Sequence, residues 1–484
     1  MKKVLVYFHE KYMTPSGGPS GYLYNLKTYL EKTGLCASET AGAKEKEGTS
    51  ATAGAPVDAG TGATETAGAP VDAGTVETET AGARSDNRAE VELYFLNDRD
   101  FHSSLSFKMK NAAHRVFRSD RSLSDVGKRV GQIFFESEQE GPYDLSRFDA
   151  VHFHSTADMF TQKKNLEHYE GKVILTSHTP KAPHLEWIED MAGAGGRPHD
   201  PDGRNDAGIS EKERALLAST KEWDEYAFSR ADYLIFPCRE AEEPYFHTWE
   251  DYPKFRKEEK IFYLPTGTGK RVPKKTRQQI RKELHIPEEN FVICFVGRHN
   301  SVKGYDQLKE IFQELKNRLG RNDLPDLKDS RELTKIPEVT VLCCGKEGAI
   351  APPSSGNWIE AGWTDDAASY VQAADLFILP NKETYFDLAF LETMSIGKTS
   401  LLSRTGGNKV FSGMEDRGIY LFDTKEDAIS LIYRIMNEDP VVREEKEEAQ
   451  RVLFEKEYTM EKFVPRYMEI LEKILRADGE NRNT

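Results

Sequence analysis

Two cations in a glycine-bounded run form the pattern with the clearest chemical content in this sequence. Residues 296–304 read Val-Gly-Arg-His-Asn-Ser-Val-Lys-Gly and follow an apolar, strand-like segment. Arg298 offers a bidentate fork and Lys303 a point charge, and together they suit a diphosphate. Either one alone is more simply explained as a solvated surface cation. The run therefore predicts diphosphate binding only in combination with other elements.

A second loop with chemical content follows the apolar segment 376–379. It spans residues 381–387 and precedes a helix that is predicted to reach Ile396 and to end at Gly397. The first N–H groups of that helix are predicted to face a cleft and to donate to sugar hydroxyls. Glu392 lies among apolar helix residues, where it can accept from a ribose diol, whereas a lone helix glutamate is ordinarily solvated.

A third loop, Ser16-Gly17-Gly18-Pro19-Ser20-Gly21, opens a helix after the first strand. Glycines let backbone N–H groups approach a ligand closely, and a helix N-terminus favours an anion. Gly-Gly before a helix is also common in simple turns. Both interpretations of Gly17 and Gly18 stay open from the sequence alone.

The elements that must position these loops alternate between strand and helix. A helix is predicted at 21–31, and short β-rich runs are predicted at 3–8, 91–95, 150–154, 173–177, 233–237, 291–296, 339–344 and 376–379. Strands separated by helices indicate a parallel sheet covered on both faces. Two such series, joined near residues 261–270, predict two doubly wound domains. Ligands of open parallel sheets bind beyond the carboxyl ends of the strands, where all three loops lie.

These motifs resemble those of a known family. Gly297-Arg298 and Lys303-Gly304, followed about eighty residues later by Tyr385-Phe386-Asp387 and Glu392, are similar to the donor half of family-4 retaining glycosyltransferases. Gly17-Gly18 and the strand-end run Thr176-Ser177-His178-Thr179 resemble the acceptor half. The resemblance covers both halves apart from two insertions. It implies the GT-B fold, in which two Rossmann-like domains face each other across a cleft.

The resemblance also implies roles for individual residues. Arg298 and Lys303 are expected on the donor diphosphate, and Glu392 on the ribose. The backbone of Phe386, Asp387 and Leu388 is expected on the donor sugar, His178 beside the reacting centre, and Gly17 and Gly18 along the phosphate and the acceptor. The catalytic candidates are accordingly His178, Arg298 and Lys303.

One loop departs from the family pattern. The family usually has two glutamates with seven residues between them, and a Phe-Gly pair in that interval. In register with Glu392 the first glutamate position holds Thr384, while Glu383 stands one residue early, and the glycine position holds Asp387. Either the loop shifts so that Glu383 reaches the sugar, or the donor contacts differ in this protein.

The implied activity is transfer of a hexosyl group, with retention, from a nucleotide-diphospho-sugar, most simply a UDP-sugar, to a glycan, lipid-linked or other acceptor. Arg298, Lys303 and helix N-termini are expected to stabilise the leaving diphosphate without a metal. Two alternatives stay open: a non-catalytic GT-B partner subunit, and a GT-B sugar-nucleotide epimerase. Against the epimerase, no pair of acid/base carboxylates is evident in the sequence.

The chain is predicted to divide into an acceptor domain at 1–265, a donor domain at 266–455 and a C-terminal helix at 456–484 that returns to the first domain. Residues 37–88 contain no aromatic residue, Leu, Ile or Met, and a ten-residue segment at 52–61 recurs at 66–75. Such a stretch cannot bury enough apolar surface to offset its ordering entropy, so we predict a disordered insertion. A second polar insertion is predicted at 193–208.

Composition narrows the functional classes further. A formal net charge of −15 argues against a general nucleic-acid binder. No segment has the apolar run of a membrane span, and the five cysteines lack metal spacing, which favours a reducing cytoplasm. His152 and His154 are expected to be structural. The basic segment 107–129 suits either a solvated helix pair or peripheral contact with the inner face of a membrane. Acidic pairs at 98–100 and 200–202 match a metal-binding spacing that arises easily by chance.

Overall fold

The structure is a computed structural model that describes residues 1–9, 12–15, 17–35, 91–96, 144–186, 211–321, 338–348 and 350–481. Both predicted insertions, the basic segment 107–129 and the acidic pairs at 98–100 and 200–202 lie outside these residues. The described residues form two six-stranded parallel sheets. The predicted class, two facing Rossmann-like domains, is confirmed.

The first sheet has the strand order β2-β1-β3-β4-β5-β6. Most of its strand residues are apolar and buried on both faces, as is usual for parallel strands covered by helices, whereas the edge strand β6 is half-buried. Their bounds are Lys2–His9 (β1), Val91–Leu96 (β2), Ala150–Phe153 (β3), Lys172–Leu175 (β4), Tyr233–Phe236 (β5) and Ile261–Tyr263 (β6).

The second sheet has the order β12-β11-β10-β7-β8-β9, in which the chain reverses its direction of travel between β7 and β10. This is the Rossmann order, and its switch point is where ligands of such sheets bind. The bounds are Phe291–Val296 (β7), Val339–Cys344 (β8), Trp358–Gly362 (β9), Leu376–Leu379 (β10), Ser400–Ser403 (β11) and Ile419–Phe422 (β12).

Helices cover the faces of both sheets. The α-helices of the described part are Gly18–Thr33 (α1), Thr156–Thr161 (α2), Lys163–Glu167 (α3), Glu211–Arg230 (α4), Arg239–Thr248 (α5), Tyr252–Phe255 (α6), Arg277–Glu283 (α7), Tyr305–Arg321 (α8), Ala367–Ala373 (α9), Leu388–Ile396 (α10), Lys425–Met436 (α11), Pro440–Glu457 (α12) and Met460–Asn481 (α13). No helix in this part of the chain is long and apolar enough to span a membrane.

The last helix, α13, packs against the first sheet although it follows the second sheet in the chain. Phe463, Tyr467 and Leu471 share an apolar cluster with Val4 and Leu23. The connection after β6 packs against the turn between α12 and α13, where the N–H of Thr268 donates to the carbonyl of Tyr458 at 2.9 Å. The chain therefore crosses between the units at two adjacent places.

Four strands were not predicted from the sequence. They are β6, β9, β11 and β12, which have only three to five residues each. Length alone does not explain the omission, because β3, β4, β5 and β10 have four residues each and were predicted. A short run gives little alternation or β-enrichment, so its sheet neighbours decide whether it becomes a strand.

Candidate active site

The switch point of the second sheet brings together the two loops that were predicted to carry chemistry. The loop after β7 contacts the loop after β10, and the N–H of Lys382 donates to the carbonyl of Val302 at 3.0 Å. Gly304 has φ +66°, and a Cβ there would lie 1.6 Å from the carbonyl oxygen of Pro380. Only glycine permits this approach. Gly304 therefore sets the distance between Lys303 and the second loop.

Lys303 is joined to Asp387, the residue that stands at the family's glycine position. Its ammonium lies 2.5 Å from Asp387 Oδ2, which also accepts from the Asn381 side-chain amide at 3.0 Å. Asp387 Oδ1 accepts from the N–H of Ala389 at 3.0 Å and so caps helix α10. Burial acts to raise the pKa of Asp387, but Lys303 and Asn381 outweigh it and hold the pKa below its ordinary value.

Arg298 lies at the same edge of the sheet but is exposed. No residue of the described ranges forms an ion pair or side-chain hydrogen bond with its guanidinium. The next residue, His299, is instead buried and stacks on Tyr305 at 4.1 Å, with Nε2 3.2 Å from Glu360. His299 thus anchors the loop from below, while Arg298 stays free to move.

Glu392 points from α10 to the linker between the units, where Arg271 is hydrogen-bonded to its Oε1. Burial raises the pKa of Glu392, and Arg271 opposes that rise. The predicted ribose acceptor is therefore held by a cation that the sequence did not indicate.

Glu383 and Thr384, the two residues that compete for the first glutamate position, face different ways. Thr384 is buried, and its hydroxyl accepts from Asn381 at 3.1 Å. Glu383 crosses to the first unit, where both carboxylate oxygens lie within 3.1 Å of the buried Lys181 ammonium. Of the two, Glu383 is the one directed at the other domain.

The side chains of Phe386 and Leu388 are buried, so only their backbone groups are available at this edge of the sheet. The Phe386 ring is buried and packs on Phe411 and Tyr458, with centroids 5.9 and 6.1 Å apart. Leu388 begins helix α10, and its side chain is also buried. The N-terminus of α10 is consequently fixed by its own core packing.

His178 follows β4 in the first unit and is one of two non-glycine residues in the described ranges with positive φ, here 58°. Its ring lies 4.8 Å from Tyr22 and 6.1 Å from Tyr385, which belongs to the loop after β10. Burial lowers the pKa of His178 to about 3. The ring is therefore neutral at physiological pH and lies against the second unit.

Gly17 and Gly18 lie at the start of α1, with Gly17 at the N-cap position and Gly18 at φ +73°. Among the described residues, and apart from the chain neighbours, no atom lies within 4 Å of a Cβ added at either position. Neither glycine is therefore required by close packing with a described residue.

Part of the sequence matches the model of a known protein family. Residues 290–437, which include β7 to β12, match the family model described as glycosyl transferases group 1. This segment is therefore similar to a glycosyl transferases group 1 domain. No curated protein sequence matches the chain significantly.

Several solved structures are similar to this chain at low sequence identity. A glycosyltransferase from Rickettsia africae ESF-5 is 12% identical with a TM-score of 0.53, covering 98% of this chain and 99% of that chain. A sucrose-phosphate synthase from Thermosynechococcus elongatus is 15% identical with a TM-score of 0.49, covering 68% and 74%. Anabaena HepE in complex with UDP-glucose is 12% identical with a TM-score of 0.49, covering 71% and 84%. The first likeness extends over both units.

A cavity of about 530 Å³ opens beside the loop after β10. It lies beyond the carboxyl ends of β10, β11 and β12 and is lined by Gln307, Asn381, Lys382, Glu383, Ser403, Arg404, Thr405, Phe422 and Asp423. Lys303 and Asp387 are not among these residues. The cavity therefore adjoins the Lys303 site without containing it.

Four residues of this region were not predicted from the sequence: Lys181, Arg271, Tyr385 and His154. Each acquires its place through a contact with a residue distant in the chain, such as Lys181 with Glu383 or Arg271 with Glu392. Spacing along one sequence carries no signal of such contacts. Tyr385 lies inside the loop that was singled out, and His154 was expected only to be structural.

Proposed function

We propose that the protein is a glycosyltransferase that moves a hexosyl group, with retention, from a UDP-sugar to a glycan or lipid-linked acceptor. One observation carries the proposal. At the switch point of the segment that matches the group 1 model, Lys303, Asn381 and the N-terminus of α10 already hold the carboxylate of Asp387. These groups mark the place where the sheet edge stabilises an anion, and a donor phosphate is proposed to share the same donors or to displace Asp387 from them.

The donor diphosphate is assigned to this place. An ammonium has three donors, so Lys303 can bind a phosphate oxygen while it stays bonded to Asp387. Its side chain is 33% exposed, which leaves part of the group accessible. Arg298 is exposed beside it and can close on the second phosphate with its bidentate fork. Charge that develops on the leaving diphosphate is then stabilised by protein cations, and the proposal includes no metal.

The reacting centre is assigned to the space between His178 and the loop after β10. His178 is neutral, so it acts as a hydrogen-bonding group rather than as an acid at neutral pH. Glu383, the carboxylate that reaches this region, is ion-paired with Lys181. We therefore propose attack on the face from which the phosphate departs, which retains configuration without a covalent intermediate.

The setting of the reaction is also proposed. Cys238, Cys294, Cys343 and Cys344 are buried free thiols, which suits a reducing compartment such as the cytoplasm. Peripheral membrane contact through the basic segment 107–129 belongs to the same proposal. A vesicle-sedimentation assay with anionic and neutral lipids would test that contact.

The function is tested by titration calorimetry with UDP and with a panel of UDP-, GDP- and ADP-sugars, beside an assay of donor hydrolysis. We expect one nucleotide-sugar to bind and to be hydrolysed slowly without acceptor. Asp387→Asn keeps a good helix cap but removes the competing charge, so it should bind UDP more tightly than wild type. Failure of every nucleotide-sugar to bind would refute the proposal.

Binding without turnover on any acceptor would favour the second candidate, a non-catalytic partner subunit. That candidate rests on one observation, the occupation of Lys303 by Asp387. A catalytic protein should show turnover in the wild type and altered turnover in Asp387→Asn. A binding subunit should show no turnover in the wild type or in Asp387→Asn.

A further inference from the structure

Three histidines form a cluster at the carboxyl ends of β3 and β4 in the first unit. His152 and His154 lie on one side of β3 with ring centroids 4.1 Å apart, and His178 stacks on His154 at 5.1 Å. All three are largely buried from solvent. Burial lowers the pKa of His152 to about 3 and that of His154 well below its ordinary value, and the neighbouring histidines add to both effects. The cluster is therefore made of neutral rings.

His154 joins this cluster to the cleft. Its Nδ1 lies 2.8 Å from Nε2 of His178, so one of these nitrogens donates and the other accepts. Its other nitrogen, Nε2, is sealed from solvent and has no hydrogen-bond partner among the described residues. A buried N–H without a partner is rarer in proteins than a buried acceptor without one. The proton of His154 therefore belongs on Nδ1, and His154 is the donor.

That assignment determines the tautomer of His178. Because His178 Nε2 accepts from His154, the proton of the neutral His178 ring must lie on Nδ1. No residue in the described part of the chain is hydrogen-bonded to His178 Nδ1, and this nitrogen is not sealed from solvent. His178 thus presents an N–H donor beside the loop after β10.

The backbone adds a second constraint. A non-glycine residue at positive φ is strained, and such strain persists only where the surroundings hold it. Around His178 the described contacts are the Tyr22 and Tyr385 rings and the hydrogen bond from His154. Of these, only the hydrogen bond distinguishes one ring nitrogen from the other.

We propose that His154 is a positioning residue that holds His178 in the Nδ1–H tautomer, so that His178 donates to an oxygen of the substrate. The part that concerns the substrate rests on the proposed function. The part that concerns the tautomer does not. His154 itself touches no substrate, since His178 lies between it and the second unit.

The neighbouring His152 provides a matched control. Both of its nitrogens are bonded elsewhere, Nδ1 to the Tyr467 hydroxyl at 2.7 Å and Nε2 to the Thr176 hydroxyl at 2.9 Å. It lies on β3, two residues before His154, and is equally buried, but it forms no hydrogen bond with His178. A purely structural role of the cluster would therefore make the two histidines equivalent.

The test compares His154→Phe, His154→Asn and His152→Asn by long-range nitrogen–proton NMR of protein labelled with ¹⁵N-histidine. Wild type should show His178 as the Nδ1–H tautomer. His154→Phe removes the donor and should give a mixture of both tautomers. Asn offers a side-chain N–H near the place of Nδ1, so His154→Asn should restore the wild-type tautomer, and His152→Asn should keep it.

Kinetics on the same variants test the substrate contact. His154→Phe should lower kcat by about tenfold, as for one lost hydrogen bond, with the Kd of the nucleotide unchanged. His154→Asn should recover most of the activity. An Nε2–H tautomer of His178 in wild type, or no change of tautomer in His154→Phe, would overturn the proposal even if the protein transferred no sugar. Equal loss of kcat in His152→Asn would reduce His154 to a structural role.

Discussion

The carboxyl ends of the two sheets stabilise their polar groups in opposite ways. In the second unit the groups are charged and paired: Lys303 with Asp387, and Arg271 with Glu392. In the first unit they are imidazoles that burial keeps neutral, and hydrogen bonds join them to one another or to hydroxyls. The same fold thus presents a charged site at one sheet and, next to the Lys181–Glu383 ion pair, an uncharged histidine cluster at the other. We call these two places the charged edge and the uncharged edge.

The difference shows how burial acts when a counter-ion is present and when it is absent. Burial raises the cost of charge at both edges. At Asp387 the Lys303 ammonium outweighs that cost and the carboxylate stays ionised. His178 has no such partner, and its pKa falls to about 3. One edge is suited to a leaving diphosphate and the other to an uncharged hydroxyl.

The largest expected effect is at the charged edge. Lys303→Ala and Arg298→Ala should each reduce transition-state stabilisation by about 2–4 kcal/mol, measured from kcat/KM. Arg298 is exposed and unpaired within the described ranges, so its loss should leave the Tm unchanged. Lys303→Ala also leaves Asp387 without its counter-ion and should lower the Tm. Lys473→Ala, an exposed lysine on α13, serves as the control. Unchanged turnover in both variants would contradict the diphosphate assignment.

At the uncharged edge, His178→Ala should cost about 2–3 kcal/mol in kcat, as for one lost donor at a reacting centre. Donor affinity should change less, because the ring lies in the other domain. Calorimetry with the donor, beside kcat for transfer, separates the two effects. Equal losses in affinity and in kcat would place His178 on the donor rather than at the reacting centre.

Glu392→Ala should weaken nucleotide-sugar binding and transfer together by about 1–3 kcal/mol, because a ribose contact exists in ground and transition states alike. Arg271→Ala tests whether that loss comes from the missing ribose contact or from the broken ion pair between Arg271 and Glu392. If Glu392 accepts from ribose, Arg271→Ala should bind the nucleotide nearly normally. Wild-type affinity in Glu392→Ala would make the ribose assignment wrong.

The two edges should also respond differently to acid. Histidines with a folded pKa near 3 and an unfolded pKa of about 6.5 bind more protons when unfolded. Their contribution to stability is complete above pH 6.5 and is lost as the pH falls towards 3, by up to about 1.4 kcal/mol per pH unit for each ring. Denaturant unfolding between pH 5 and 6.5 measures this slope before most carboxylates titrate. If the free energy of unfolding of His152→Gln depends on pH as steeply as that of wild type, His152 does not have the lowered pKa given above.

The smallest effect is expected from deleting residues 40–86. The segment has no core-forming residue, and it falls in the connection between α1, which ends at Thr33, and β2, which begins at Val91. Removing it should leave the Tm and kcat nearly unchanged. Insoluble protein after the deletion would show that the segment is structural.

Much of the architecture followed from local pattern. Runs such as Val339–Cys344 are apolar apart from Thr340, which is typical of a strand buried on both faces, and Gly397 ends α10 in the left-handed conformation that glycine adopts most easily. The positions of Arg298 and Lys303 after β7 followed in the same way. Roles that depend on a contact partner did not: Asp387 was a departure from a motif until the structure placed it against Lys303.

The sequence by itself determined the two doubly wound units, the loops that lie at their ligand-binding edges and the positions of Arg298 and Lys303, because periodicity and strand ends are local properties. Only the tertiary structure decided which ionisable groups are charged and which residues they contact. It brought Lys181 of the first unit to Glu383 of the second, and His154 to His178. The state of an ionisable group depends on burial and on partners within a few ångströms, and residues distant in the chain supply both.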